Sequence, residues 1–96
     1  LERIPLIDCA RRFADDFIFP GGTSDNRLYF SEQVRFSAGI DEPSQMLLFD
    51  AQTSGGLLLS VPAENAAAMQ RRARETDHPL WIVGEVTAGS GIEVVP

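Results

Sequence analysis

This 96-residue chain is short of cysteine, histidine and basic charge, with one Cys, one His and eight Lys+Arg against fourteen Asp+Glu. Each shortage excludes something. A single thiol forms no internal disulfide, so Cys9 gives no sign of an oxidising compartment, and its apolar neighbours predict a buried structural thiol. One histidine and no Cys-x-x-Cys pair leave no zinc-type ligand set and no Ser/His/Asp arrangement for nucleophilic catalysis. His78, beside Pro79, is expected to be a solvent-facing residue at a helix end. A formal charge of −6 argues against nucleic acid, which needs a basic patch to displace counterions, and against an anionic membrane surface. No run reaches the ~20 apolar residues of a membrane span, and no signal-peptide pattern opens the chain, so a cytoplasmic protein is expected. The first residue is Leu1 rather than Met. The native protein is therefore expected to extend further, although proteolysis or a truncation for expression would give the same start.

What is present is enough apolar material to fold, at 44% hydrophobic and 23% charged residues. Leu6, Cys9, Ala10, Phe13, Ala14 and Phe17 recur at helical spacing, and Pro5 suits a first turn, so Leu6 to Phe17 reads as a helix with one buried side. Phe19-Pro20-Gly21-Gly22-Thr23-Ser24-Asp25-Asn26 is dense in turn formers. Leu28 to Phe30 is short and aromatic without a period. Gln33 to Ala38 alternates, Val34 and Phe36 against Arg35 and Ser37, as a half-buried strand does. Asp41 or Ser44 could cap a short helix through Met46, Leu47 and Leu48, and the same run could equally be a buried strand.

Leu57 to Val61 has the length and composition of a strand. After Pro62, Ala63 to Glu75 carries five alanines and a stripe of Ala66, Met69 and Ala73, which predicts a helix. Glu64 near its start and Arg71, Arg72 and Arg74 near its end complement the helix dipole, so the arginines are read as a solvated face. Leu80 to Thr87 is the strongest strand pattern, and Ala88-Gly89-Ser90-Gly91 turns it toward Ile92 to Val95 as a hairpin partner. These elements compose one α+β module, sheet and helices packed in layers, without repeat or linker.

Two glycine-rich segments carry the chemistry. Gln52-Thr53-Ser54-Gly55-Gly56 offers two hydroxyls, an amide and glycine N–H groups able to form an anion-binding concavity. No lysine follows at the spacing of a phosphate-binding loop. On chemistry alone the segment is more readily a tight turn into a strand. Pro20-Gly21-Gly22-Thr23 with Asn26 reads as an ordered loop. Asp50 could hold a metal or cap a turn, but one carboxylate is no Mg²⁺ site.

Together the two segments resemble a known family. Pro20-Gly21-Gly22-Thr23-x-x-Asn26 is similar to a Pro-Gly-Gly-Thr-x-x-Asn stretch of selenophosphate synthetases (selenide, water dikinases). Leu47-Leu48-Phe49-Asp50-Ala51-Gln52-Thr53-Ser54-Gly55-Gly56-Leu57-Leu58 resembles their Asp-Pro-Gln-Thr-Ser-Gly-Gly-Leu-Leu signature, with Ala51 where proline often stands. Val61-Pro62-Ala63-Glu64 and Ile82-Val83-Gly84-Glu85-Val86 are similar as well.

The resemblance implies a part of the C-terminal domain of an enzyme that makes selenophosphate from selenide, ATP and water, releasing AMP and phosphate, with Mg²⁺. It implies the α+β C-terminal domain of the aminoimidazole ribonucleotide synthetase-like superfamily. It also implies a separate N-terminal domain, carrying most nucleotide and metal contacts, and a homodimer. The family's reactive Cys or selenocysteine, its lysine and its metal-binding aspartates belong to that upstream part, so Cys9 is not the nucleophile. No catalytic or metal-binding residue is assigned within residues 1–96, and Gln52, Thr53, Ser54, Gly55 and Gly56 are the candidate phosphate contacts. The chain alone is expected neither to bind ATP or Mg²⁺ tightly nor to turn ATP over. Two other functions stay open, a folding and interface module without ligand contacts and a related ATP-dependent enzyme of the same superfamily.

Overall fold

The computed structural model describes residues 1–96. Its α+β architecture has four α-helices, a short 3₁₀ turn and a two-stranded sheet. The helices are α1 (Ala10–Asp15), α2 (Gly21–Phe30), α3 (Glu42–Leu48) and α4 (Ala63–Glu75), and the strands are β1 (Val34–Phe36) and β2 (Ile92–Val94). The 3₁₀ turn, Ser31–Gln33, links α2 to β1.

Capping decides α3 in favour of helix. The Asp41 carboxylate accepts the Ser44 N–H at 2.8 Å, Pro43 occupies the first turn, and Glu42 faces the positive end of the dipole. Helix α4 has the expected bounds, with Ala66, Met69, Gln70 and Ala73 as its half-buried stripe and Arg71 and Arg72 reaching Glu75 at 3.9 and 3.7 Å. Its end is a Schellman turn, in which Asp77 N–H donates to Arg74 C=O and His78 N–H to Ala73 C=O, with Asp77 at φ 53. His78 is exposed there, as its position predicts.

Helix α1 is shorter than its apolar stripe. Cys9 stands at φ 44, a left-handed conformation that stops the helix from running back toward Leu6. Phe17, at φ 54, closes the other end, donating from its N–H to Ala14 C=O while Ile18 N–H reaches Phe13 C=O. Only Ala14 of the stripe is fully buried, and Cys9 is an exposed thiol, so the expected buried cysteine is wrong. The left-handed Cys9 backbone leaves its side chain outside the helix and outside the core.

The core lies where α1, α2 and α3 meet. It contains Ala14, Thr23, Ile40, Ser44, Met46 and Phe49, with the Phe36 ring edge-on to Phe49 at 5.9 Å. On its rim the Arg11 guanidinium bonds Asp15 at 2.9 Å, Asp41 at 2.8 Å and the Ser44 hydroxyl. That grip ties α1 to the cap of α3.

The sheet differs from expectation. β2 pairs with β1 in parallel, Val34 opposite Ile92 and Phe36 opposite Val94, and not as a hairpin partner of Leu80 to Thr87. Residues 57–61 and 80–87, both of strand composition, join no ladder, and all but the half-buried Val61 lie exposed. Strand composition expresses a preference for a pleated, half-buried surface and creates none without a neighbouring strand. The radius of gyration, 14.9 Å, exceeds the about 13 Å of a packed domain of this length, in keeping with those extended segments. No helix is long and apolar enough to cross a membrane.

Candidate functional site

The two glycine-rich segments, separate in sequence, form one corner of the fold. Pro20 to Asn26 is not the expected loop but the start of α2, with Pro20 as the N-cap at φ −58, ψ 148. Two glycines and an Asp-Asn pair make a poor helix by propensity, each Gly costing about 1 kcal/mol relative to Ala. Tertiary bonds account for the outcome. Thr23, fully buried, donates its hydroxyl to Asp50 Oδ1 at 3.1 Å, and Asn26 Nδ2 donates to Phe49 C=O at 3.0 Å. Both side chains stand on the α2 face turned toward the end of α3, three residues apart as a helix requires.

Close backbone approach completes the joint. A Cβ on Gly22 would stand 3.0 Å from Ala51 Cβ, a contact tight enough that α2 and the 49–51 corner would have to shift by a few tenths of an ångström to admit it. Asp50 is thereby committed. Its Oδ1 accepts from Thr23, and its Oδ2 accepts from Gln52 Nε2 at 2.5 Å. The carboxylate that sequence left open as a metal ligand or turn cap serves as a bracket between α2 and the segment that follows.

Gln52 is the first of the five candidate contacts, and its amide points back to Asp50. Its stem lies against Gly55, where an added Cβ would meet Gln52 Cβ at 3.1 Å. The bend at Thr53 and Ser54 is thus folded over Gln52, and the absence of a side chain at Gly55 eases that closeness. Thr53, Ser54, Gly55 and Gly56 are exposed, and none of the side-chain or loop hydrogen bonds of the chain involves them. The corner therefore brings Gln52 under restraint while leaving two hydroxyls and two glycine N–H groups free as donors. Such a set suits an anion with several acceptor oxygens.

The remaining titratable groups offer no competing centre. No cluster of three or more His, Cys, Asp or Glu could hold a metal ion. Asp41 is held well below the usual carboxylate range, at about 2, by hydrogen bonds from Arg11 and Ser44, and that pair lies at the α1–α3 junction away from the turn. An open concavity of about 440 Å³ follows α4, lined by Arg74, Asp77, His78 and Trp81 among others, and the His78 ring there is engaged with the Thr76 carbonyl at 2.8 Å. Thr23 and Asn26 are the contributors that residue chemistry missed. Their signal was the recurrence of Thr and Asn at i and i+3 just after Pro-Gly-Gly, visible only once that segment is treated as a helix.

Residues 19–95 match the family described as AIR synthase related protein, C-terminal domain. The chain is similar to the selenide, water dikinase of Myxococcus xanthus (strain DK1622), 45% identical over 96 residues, covering 99% of this chain and 27% of that protein. It is 33% identical over 95 residues to the selenide, water dikinase of Carboxydothermus hydrogenoformans, covering 99% of this chain and 28% of the relative. Against that of Caldanaerobacter subterraneus subsp. tengcongensis it is 41% identical over 86 residues, 88% of this chain and 25% of the relative. The chain thus spans about a quarter of the length of the curated relatives it matches. No solved structure matches it. With the matched span taking in both glycine-rich segments and the corner they build, this chain belongs to the AIR synthase related protein family, as its C-terminal domain.

Proposed function

We propose that this chain is the C-terminal part of an enzyme that makes selenophosphate from selenide, ATP and water, releasing AMP and phosphate. In this reading Gln52, Thr53, Ser54, Gly55 and Gly56 line the nucleotide or phosphate cleft. The carrying observation is the set of unpartnered donors at Thr53, Ser54, Gly55 and Gly56, beside a Gln52 restrained by Asp50. Similarity along nearly all of this chain, at 45% and 33% identity, to parts of proteins named selenide, water dikinase supports the reaction class.

The donor set favours a role toward phosphate oxygens and none toward a metal. Asp50 is taken by Thr23 and Gln52, so a Mg²⁺ ion would draw its carboxylates from a preceding N-terminal domain. That domain, a homodimeric assembly and a cytoplasmic location belong to the same reading. N–H and hydroxyl donors held in place before reaction stabilise charge that develops on a transferring phosphoryl group, and they require no reorganisation at that moment.

The test is to place Ser54→Ala and Gly56→Val in the intact enzyme and follow selenophosphate by phosphorus NMR. The expected result is a loss of turnover in both variants, with wild-type protein active. Wild-type turnover in both would sink the cleft role.

One observation favours a second reading, an interface module without ligand contacts. Leu57 and Leu58, next to the turn, are 87% and 85% exposed, as residues that pack on a further part of the protein would be. Under that reading both variants retain the wild-type rate while weakening assembly.

A further inference from the structure

We infer that Thr23 and Asn26 are positioning residues, whose hydrogen bonds to the 49–50 corner set the orientation of Gln52 and of the donor turn that follows it. The inference rests on the cleft reading above for its consequence in turnover, and on geometry alone for its structural half.

The geometry is a relay of three bonds. The Thr23 hydroxyl fixes Asp50 Oδ1 at 3.1 Å, Asn26 fixes the Phe49 carbonyl at 3.0 Å, and Asp50 Oδ2 then receives the Gln52 amide at 2.5 Å. Each anchor is well held. Thr23 has no exposed surface, and Phe49 is 7% exposed with its ring against Phe36. The turn itself is solvent-exposed and carries no other bond to the body of the protein. The Gln52 side chain is therefore held through a single carboxylate that the α2 face anchors.

A carboxylate anchored on one oxygen presents the other in a fixed direction. Released from Thr23, Asp50 turns about its own side-chain torsions, and Gln52 loses its defined acceptor. Neither Thr23 nor Asn26 reaches the exposed donors, so their action is indirect. Displacing a positioned donor by about 1 Å lowers a reaction rate by up to roughly a hundredfold.

The experiment uses the intact enzyme with Thr23→Val, Thr23→Ser and Asn26→Asp. Selective ¹⁵N labelling of glutamine reports the Gln52 side-chain amide, assigned by its disappearance in Gln52→Glu. ATP and selenide serve as substrates for kcat and KM. In Thr23→Val the Gln52 amide is expected to move to free-glutamine shifts and kcat to fall tenfold or more, with KM for ATP within twofold. Thr23→Ser restores both, because it keeps the hydroxyl, and Asn26→Asp repeats the loss should Thr23→Val fail to fold. An unmoved Gln52 amide overturns the inference, whereas an unchanged kcat beside a moved amide upholds the positioning bond and overturns the cleft reading. A wild-type enzyme forming no selenophosphate overturns the functional reading instead, and the amide signal then decides the positioning role by itself.

Discussion

Gly22 lies so close to Ala51 that a Cβ on it would stand 3.0 Å from the Ala51 Cβ, while the neighbouring Gly21 has open space around it. The two glycines open the same helix and differ only in what they face. Gly21→Ala is expected to leave stability unchanged or to raise it by up to about 1 kcal/mol, the helix-propensity gain. Gly22→Ala carries the same gain against a contact the corner must yield to, so a net loss of about 1–3 kcal/mol is expected. Ala51→Gly in the Gly22→Ala background relieves the contact. Urea denaturation of the four proteins checks all three statements, and the double variant is expected to recover most of the loss.

The Asp41 carboxylate should contribute to the acid limb of stability, discounted by the solvent screening of its exposed pair with Arg11. Hydrogen bonds from Arg11 and then from Ser44 lower its pKa from the ordinary 3.8 to about 2. A carboxyl depressed on folding adds stability that is complete above its unfolded pKa and is lost as pH falls through the folded one. The expected window is therefore pH 4 down to pH 2. Asp41→Asn keeps a cap acceptor and removes the titration, so its stability should be flatter across that window than that of the parent. A carbon-13 titration of Asp41 with a midpoint at the ordinary value would contradict the assignment.

Asp77 occupies the left-handed position after α4, at φ 53. A glycine there avoids the steric cost that an L side chain meets in that region, about 1 kcal/mol. Asp77→Gly is thus expected to raise the thermal midpoint, provided α4 melts with the rest of the chain. Differential scanning calorimetry measures the shift, and a lower midpoint would show that the Asp77 side chain contributes more than its backbone costs.

The isolated 96-residue chain should neither hydrolyse ATP nor stay monomeric. Leu57, Leu58 and Val86 each expose more than four-fifths of their surface, and Trp81 about half. Sedimentation velocity is expected to show association that the pair Leu58→Glu and Val86→Glu diminishes. Phosphate release above buffer by the wild-type chain would contradict the reading that catalysis needs the preceding part of the protein.

How far sequence carried the fold depended on what each element needs in order to exist. Helix α4 was legible to the residue, because alanine-rich propensity, Pro62 before it and arginines at its end are local. Helix α3 was legible as one of two alternatives, settled by the Asp41 bond to Ser44 N–H. Residues 20–26 were misread as a loop, since Gly-Gly-Thr-Ser-Asp-Asn carries turn chemistry and only contacts made by Thr23 and Asn26 with residues 49–50 favour helix. Leu80 to Thr87 was misread as a paired strand because composition names a preference and a ladder needs a partner. For the site, the donor turn was visible in the sequence. Its dependence on α2 was not, because that runs through side-chain bonds between segments 23 to 27 residues apart.

In the proposed function the Gln52 to Gly56 turn is where this chain meets a phosphate-bearing ligand. The most direct measurement is fast amide exchange at residues 50–57 of the intact enzyme, with and without a non-hydrolysable ATP analogue. Slower exchange at Gly55 and Gly56 on adding the analogue, with α4 unchanged, is the predicted result. Identical exchange at residues 50–57 in the presence of analogue bound elsewhere on the enzyme would contradict the claim and leave the turn as a structural joint.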